Sequence, residues 1–451
     1  MYMDELLPWV LGKIRPSKEE EEQIKRFINN LVRVGKTVSG LDCVICGSIG
    51  KFTWLRGDHD IDLFMLFPKT VPREELERRG LAFGKKIVAE MNGSFVIKYA
   101  EHPYVHAQLS GYDVDIVPCY RISKEEKIIS AVDRSPLHLE YVLSNLDENK
   151  RDEVRLLKQF CKAVGVYGSD ARQQGFSGYL CELLILKYGS FSKVIKDAAK
   201  WGAPKVVGIG NIKLFSNQPL VIIDPVDSKR NVAANMNSEN FIKFVTAARR
   251  FVAKSEEKYF FKEKQKPLSD DELKNLVNRG TYFSAIVMEK PDLVDDVLYP
   301  QMRKALDRLV TELKHNEFVI LKHLEYGNSH VVLFFEFEVW TLPKTKKMIG
   351  PTIFSKQHGK EFRSKYKNEF ISVEDVYWVA EKEREFRSAS QLLKSILAKS
   401  AEEMKRIGIP DNIAKPMQRA RLLEGKDFWD FVQENSGFSI FLREKYFSKL
   451  N

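Results

Sequence analysis

The stretch that decides the fold runs from Gly47 to Asp62, GSIGKFTWLRGDHDID. Gly47 lets the backbone turn tightly and approach a ligand closely. Ser48 then opens a short helix, whose free N–H groups and positive dipole end suit a phosphate. Lys51 lies one helical turn on and adds positive charge to the same place. Asp60 and Asp62 are separated by one residue on a strand, so both carboxylates leave one face, roughly 6.5–7 Å apart at their Cα atoms. Two like charges that close are unfavourable unless a cation neutralises them. Mg²⁺ suits the pair, because it takes few carboxylates and completes its shell with water and substrate phosphate. A bare DxD is common; the Gly-Ser turn twelve residues before Asp60, with an apolar strand on each side, is what makes the pattern specific.

A third acid is expected from a neighbouring strand. The segment GYDVDIVPCY (111–120) offers Asp113 and Asp115 on one face. Asp115 is preferred, since it is embedded in the apolar run VDIVP, whereas Asp113 lies nearer the turn at Gly111. Three carboxylates holding two Mg²⁺ ions give the geometry for in-line phosphoryl transfer: one ion activates an attacking hydroxyl, the other stabilises the leaving pyrophosphate.

Around this core the chain reads as α+β. Ser17 and Glu20 form a capping box before the helical spacing of Ile24, Phe27, Ile28, Leu31 and Val32. The CVIC segment (43–46) and residues 61–67 read as strands, a helix follows Pro72 to about Asn92, and strands are expected near 95–99, 106–109 and 114–117. This small mixed sheet closes near residue 150. Residues 150–255 look mostly helical, and KSEEKYFFKEKQKPLSDDE (254–272) looks like a solvated connector. Beyond it, strand, helix, strand, strand suits a ferredoxin-like or RNA-recognition-like sheet, with helices expected from about 373 to the end. The domains are placed at 1–149, 150–258 and 259–451.

The composition excludes several classes. Of 451 residues 44% are hydrophobic and 30% charged, with a net charge of +10 that permits a polyanionic partner. No apolar run approaches the roughly 18 residues of a membrane span, and the N-terminus lacks the pattern of a signal peptide, which points to a cytoplasmic enzyme. The five cysteines, at 43, 46, 119, 161 and 181, are odd in number and scattered. Cys43 and Cys46 form a CxxC without a second pair or a nearby histidine, so they read as core thiols.

Beyond the acids, four segments resemble one family: VDRSPLHLEYV (132–142), LLKQFCKAVGVYGSD (156–170), GFSGYLCELL (175–184) and IIDPVDSKRNVAANM (222–236). With the DxD head they make the chain similar to the archaeal-type, class I CCA-adding enzymes, tRNA nucleotidyltransferases with a polymerase-beta-like head. The resemblance runs over nearly the whole chain. It implies a nucleotidyltransferase head, a helical central domain that binds nucleotide and primer, and a C-terminal ferredoxin-like, tRNA-binding body with a helical tail. It further implies that CTP and ATP are added to the 3′ end of tRNA without a template. Catalysis and metal binding would fall to Asp60, Asp62 and Asp115. Ser48 and Lys51 would touch the triphosphate, His138, Lys158 and Tyr167 would complete the pocket, and Arg230 would meet the base edge. Some relatives carry Arg where Lys51 stands, which keeps the charge. Singly, His138, Lys158, Tyr167 and Arg230 would pass for solvent-facing or packing residues; the combined pattern singles them out. A homodimer is compatible with the family. A poly(A) polymerase or another RNA terminal transferase using the same head is the alternative activity, and an RNA-binding protein with a relic head the alternative class.

From Lys344 to Lys367 eight basic residues (Lys344, Lys346, Lys347, Lys356, Lys360, Arg363, Lys365 and Lys367) face a single acid, Glu361, and interleave with Phe354, Phe362 and Tyr366. Such a run can follow a phosphate backbone while its rings pack beside it. Given an RNA substrate, it is expected to hold the acceptor stem and TψC arm of tRNA, read through shape and 2′-hydroxyls. The segment AKPMQRARLLEGKDFWDF near the C-terminus is a weaker candidate.

Overall fold

The computed structural model describes residues 3–99, 101–124, 126–208, 215, 217–262 and 264–447. The chain forms two compact units, Met1–Lys264 and Gln265–Lys449.

The first unit begins with α1 (Met3–Ile14), α2 (Lys18–Ser39), β1 (Asp42–Ile45), α3 (Gly47–Gly50), β2 (Ile61–Phe67), α4 (Arg73–Glu90), β3 (Ser94–Tyr99), β4 (Pro103–Leu109) and β5 (Tyr112–Tyr120). The Ser17–Glu20 capping box starts α2 as expected. The five strands form one sheet in the order β1-β2-β5-β4-β3, with β2 and β5 parallel and the other pairs antiparallel. Period-two alternation then decides what each face carries. Ile61, Leu63, Met65 and Phe67 of β2, with Val114 and Ile116 of β5, join the core that includes Ile24 and Leu31 of α2 and Leu76 and Ile87 of α4. The intervening residues, Asp62 and Phe64 on β2 and Asp115 and Val117 on β5, face the other way. The two acids are therefore kept off the helix-covered face by the same pattern that builds the core.

The rest of this unit comprises α5 (Arg134–Asn145), α6 (Glu148–Val164), α7 (Gly178–Tyr188), α8 (Phe191–Ala198), the short strands β6 (Lys205–Val206), β7 (Leu220–Val221), β8 (Ile223–Asp224) and β9 (Asp227–Asn231), and α9 (Ser238–Ala253). Leu6, Val10 and Ile14 of α1 pack into this helical core together with Val142, Phe160, Leu184 and Phe244. The expected solvated connector is a correction in part: Phe260 is fully buried among Phe160, Phe191 and Phe251, with ring centroids 5.5–6.0 Å away, and Tyr259 and Phe261 pack beside it. Charge dominates that segment's composition, yet three consecutive aromatics suffice to anchor it. The five cysteines are all free and buried, as expected of core thiols.

The second unit runs α10 (Asp270–Val277), β10 (Tyr282–Glu289), α11 (Asp295–His315), β11 (Val319–Gly327), β12 (His330–Val339), β13 (Thr345–Thr352), α12 (Lys356–Lys365), β14 (Phe370–Glu374), β15 (Tyr377–Glu383), α13 (Ala389–Leu397), α14 (Ala401–Arg406), α15 (Asp411–Met417), β16 (Arg421–Glu424), α16 (Gly425–Glu434) and α17 (Ser436–Phe447). Strands β11-β12-β10-β16 form an antiparallel sheet whose strand order is that of a ferredoxin-like domain. Its core is closed by Phe428 and Val432 of α16 and Phe438 and Leu442 of α17. A second sheet, β13-β15-β14, is inserted before β16. The expectation of helices from about 373 to the end is corrected in part: β15 occupies Tyr377–Glu383, the helices begin at Ala389, and β16 interrupts them. Phe370–Glu374 and Tyr377–Glu383 pair as a hairpin around Asp375, which takes the positive φ of 50° that a tight turn requires. Among the described residues no helix is long and apolar enough to cross a membrane.

Candidate active site

Asp62 and Asp115 lie directly opposite each other on the parallel strands β2 and β5. Asp60 sits two residues earlier, on the chain leading into β2. On the far side of β5, His106 of β4 pairs across from Asp115 and its Nδ1 lies 2.6 Å from Asp115 Oδ1. Asp113 is more exposed than Asp115, hydrogen-bonds Gln108 and lies 3.4 Å from His106 Nε2. Of the two candidates on β5, Asp115 is the one in register with Asp62.

Burial, together with the neighbouring charges of Asp115 and Asp60, pushes the Asp62 carboxyl up to about 7. Asp60 is raised as well, by burial and then by Asp58, Asp113 and Asp115. Among the described residues no cation pairs with Asp62, and no three His, Cys, Asp or Glu side chains already close into a metal cage. The donor set nevertheless fits a hard divalent cation: all-oxygen, anionic and crowded, with carboxyls that raise one another's pKa. Gly47 makes that face accessible. It has φ +63°, and a Cβ there would lie 2.1 Å from Asp62 Oδ2.

The shift has a measurable consequence. A carboxyl whose pKa is raised on folding binds its proton more tightly in the native state, so it favours folding below its unfolded pKa and ceases to do so as pH rises toward 7. In chelator, the melting temperature is expected to fall as pH goes from about 4 to 7 through this group, and the Asp62→Asn variant to lack that component. A variant with the same pH profile as wild type would contradict the assignment.

A second cluster gathers around Ser48 and Lys51. Helix α3 is held at the mouth of the sheet by Cys46 N–H donating to Asp62 O (2.9 Å) and Thr53 N–H to Ser48 O (2.9 Å). Gly50 touches strand β1 so closely that a Cβ would lie 2.1 Å from Ile45 O. Ser48 is half-buried at the start of this turn. Lys51 Nζ donates to Glu182 Oε2 at 2.9 Å and stands 4.9 Å from the centre of the Tyr179 ring. Lys158, on α6 and 2% exposed, donates to Thr53 Oγ1 (2.9 Å) and lies 3.4 Å from Glu182 Oε1. The Tyr167 hydroxyl reaches the same spot: a Cβ on Gly178 would lie 3.1 Å from it and 3.4 Å from Lys158 Nζ.

The third cluster centres on Asp224. It is 1% exposed and accepts from His138 Nε2 (2.9 Å), Arg230 Nη1 (2.9 Å) and the Tyr179 hydroxyl (3.2 Å). The His138 and Tyr179 rings stack with centroids 3.8 Å apart. Burial lowers the His138 pKa even though Asp224 opposes the shift. Arg230 opens onto a cleft of 1070 Å³ lined also by Lys127, Arg134 and Lys229.

Three residues of these clusters escaped sequence reasoning: Glu182, Asp224 and Tyr179. All lie inside segments quoted above, but partners of theirs are far away in sequence: Lys51 is 131 positions from Glu182, His138 86 from Asp224, and Tyr179 45 from Asp224. A charged Glu182 amid the apolar run YLCELLIL was the signal available for one of them, since a lone acid on an otherwise buried helix needs a cationic partner. His106 was missed for a plainer reason: it occupies one of the expected strands without a motif of its own.

The basic run in the second unit is not one loop. Thr345–Thr352 is β13 and Lys356–Lys365 is α12, so its charges are divided between a sheet and a helix. Lys344 pairs with Glu383 (2.6 Å), Lys346 with Glu317 (3.7 Å) and Lys347 with Glu374. Arg363 stacks over Trp378 at 4.7 Å. Lys356, Lys360, Lys365 and Lys367 are all exposed. In AKPMQRARLLEGKDFWDF, Met417, Leu423 and Phe428 are core residues, and its basic positions Lys415, Arg419, Arg421 and Lys426 are exposed.

Ser48 and Lys51 beside crowded acids on a mixed sheet are an arrangement suited to a nucleotidyltransferase, and residues 23–138 match the model of the nucleotidyltransferase domain. Residues 152–261 match the second domain of tRNA nucleotidyltransferases, and residues 279–410 the C-terminal domain of CCA-adding enzymes. The CCA-adding enzyme of Methanocaldococcus jannaschii is 40% identical over 415 residues, covering 88% of this chain and 91% of the relative. That of Methanoregula boonei is 36% identical over 439 residues, covering 95% and 92%. A cytoplasmic RNA terminal U-transferase of known structure overlays with a TM-score of 0.45 at 17% identity, over 56% of this chain and 94% of that one. The chain belongs to the archaeal-type CCA-adding enzymes, which are tRNA nucleotidyltransferases.

Proposed function

We propose that this chain builds and repairs the 3′-terminal CCA of tRNA, using CTP and ATP, without a template and with release of pyrophosphate. The observation that carries the chemistry is the register of Asp62 against Asp115, with Asp60 adjacent, beside the Lys51–Lys158 pair. These three acids would hold two Mg²⁺ ions, which when bound supply charge neutralisation at the phosphates and a more acidic 3′-hydroxyl. Asp115 orients that hydroxyl from β5. Ser48, Lys51, Lys158 and Tyr167 bind the triphosphate, His138 completes the pocket, and Arg230, fixed by Asp224, meets the base edge with its free guanidinium N–H groups. Residues 1–149 thus act as the catalytic head, 150–258 as the nucleotide and primer site, and 259–451 as the tRNA-binding body, in the cytoplasm.

Incubation with tRNA lacking its CCA, Mg²⁺ and labelled CTP is expected to add two cytidines, and ATP one adenosine thereafter. Absence of CTP incorporation would refute the proposal, and long homopolymers from ATP alone would favour a poly(A) polymerase. For RNA contact, the exposed lysines of α12 are the best candidates. Lys356→Ala/Lys360→Ala is expected to weaken tRNA binding by about 3–10-fold and to lower its salt dependence by about two charges, with kcat at saturating tRNA unchanged. Unaltered affinity and salt slope would remove α12 from the interface.

A further inference from the structure

Glu182 is 1% exposed, on the second turn of α7, and receives three donors from elsewhere in the chain. Lys51 Nζ reaches Oε2 at 2.9 Å, while Thr53 Oγ1 (2.7 Å) and Lys158 Nζ (3.4 Å) reach Oε1. Thr53 Oγ1 in turn accepts from Lys158 Nζ, and Thr53 O lies 3.2 Å from the same nitrogen. Lys51 and Thr53 come from the turn after α3 and Lys158 from α6, so one carboxylate joins two ammonium groups that sequence places over a hundred residues apart. Burial alone would raise the Glu182 carboxyl, but the two lysines outweigh it and hold it below the usual range.

We infer that Glu182 is a positioning residue for the nucleoside triphosphate: it gathers Lys51 and Lys158 into one fixed dication that receives the phosphates. The inference rests on the proposed function, which gives the two lysines their role. The physical logic is direct. Two ammonium groups brought together in a buried place repel each other and lose hydration, so neither would stay there unaided. A single carboxylate between them removes the repulsion yet leaves a net positive charge facing the site. Tyr179, one turn before Glu182 on the same helix, places its ring against Lys51 Nζ from another side. The ammonium is therefore held before substrate arrives, and the triphosphate need not order it on binding.

The test is equilibrium binding of CTP with Mg²⁺ in the absence of tRNA, alongside tRNA binding and steady-state incorporation. Glu182→Gln keeps the shape and the Thr53 contact but removes the charge. It is expected to weaken CTP binding and raise its KM about 10–100-fold, the effect of losing a hydrogen bond to a charged group, with tRNA affinity within about twofold. Because this variant strands two buried ammonium groups, the charge-balanced pair Lys158→Met/Glu182→Gln is compared with Lys158→Met alone. The pair is expected to bind CTP at least about fivefold more weakly than the single variant, since Lys51 has then lost its anchor. Equal CTP affinity in that comparison, or wild-type CTP affinity in folded Glu182→Gln, would overturn the inference. Wild-type protein that fails to incorporate CTP would instead sink the proposed function, and CTP binding would still report on Glu182.

Discussion

Asp62→Asn is expected to reduce CTP incorporation into tRNA by ~10³-fold or more while leaving tRNA affinity within about twofold. The substitution preserves the shape of the side chain and its place on β2, opposite Asp115. What it removes is one carboxylate from a crowded trio, and with it, on the proposed mechanism, a ligand for the divalent cation. In the absence of metal the same change should be mildly stabilising, because the carboxyl is pushed up to about 7 by burial and by its neighbours Asp115 and Asp60. Loss of activity together with gained stability is the signature of a charge retained for chemistry rather than for folding. Single-turnover kinetics and thermal melting on the same preparation read both halves. An active Asp62→Asn enzyme would remove Asp62 from the catalytic set.

The largest stability effect is expected from Phe260→Ala, at about 3–5 kcal/mol in chemical denaturation of the first unit. Phe260 is fully buried and meets the rings of Phe160, Phe191 and Phe251. Deleting the ring leaves a cavity among aromatic side chains whose own packing is fixed by one another, so little collapse can compensate. Gln159, whose amide donates to Phe260 O, would lose its partner if the segment came free. A change below about 1 kcal/mol would mean that residues 254–262 are the solvated connector their composition suggests.

The head was readable because its signals are local. Gly47, Ser48, Lys51, Asp60 and Asp62 fall within sixteen residues, and the alternation of β2 and β5 is written in the residues themselves. Strand order is a different matter. Nothing in GYDVDIVPCY says that β5 lies parallel to β2 with Asp115 against Asp62; that follows only once the sheet is assembled. The anchors behind the site were illegible for the same reason. Lys51 and Glu182 are 131 positions apart, His138 and Asp224 86. Tyr179 and Glu182 share a helix whose apolar face dominates its pattern, so the turn-spaced pair that touches both clusters is hidden in a core segment. Charge misled twice in the other direction. It masked the aromatic anchor at Tyr259–Phe261, and it made residues 344–367 look like one continuous basic tract when the chain there folds as β13 and α12, with Lys344, Lys346 and Lys347 each paired to an acid. Around residue 373 the apolar stretches Phe370–Val373 and Tyr377–Ala380 were too short to stand out from a charged background, and the turn at Asp375 carries neither Gly nor Asn to announce a hairpin.

The most direct measurement is anomalous scattering from crystals of the enzyme with Mn²⁺ and CTP. Manganese peaks are expected between the carboxylates of Asp62 and Asp115, shared with Asp60 and the triphosphate, with Asp115 turned toward the ion from its place beside His106. Manganese bound elsewhere, or none at these three side chains while CTP occupies the pocket, would contradict the account.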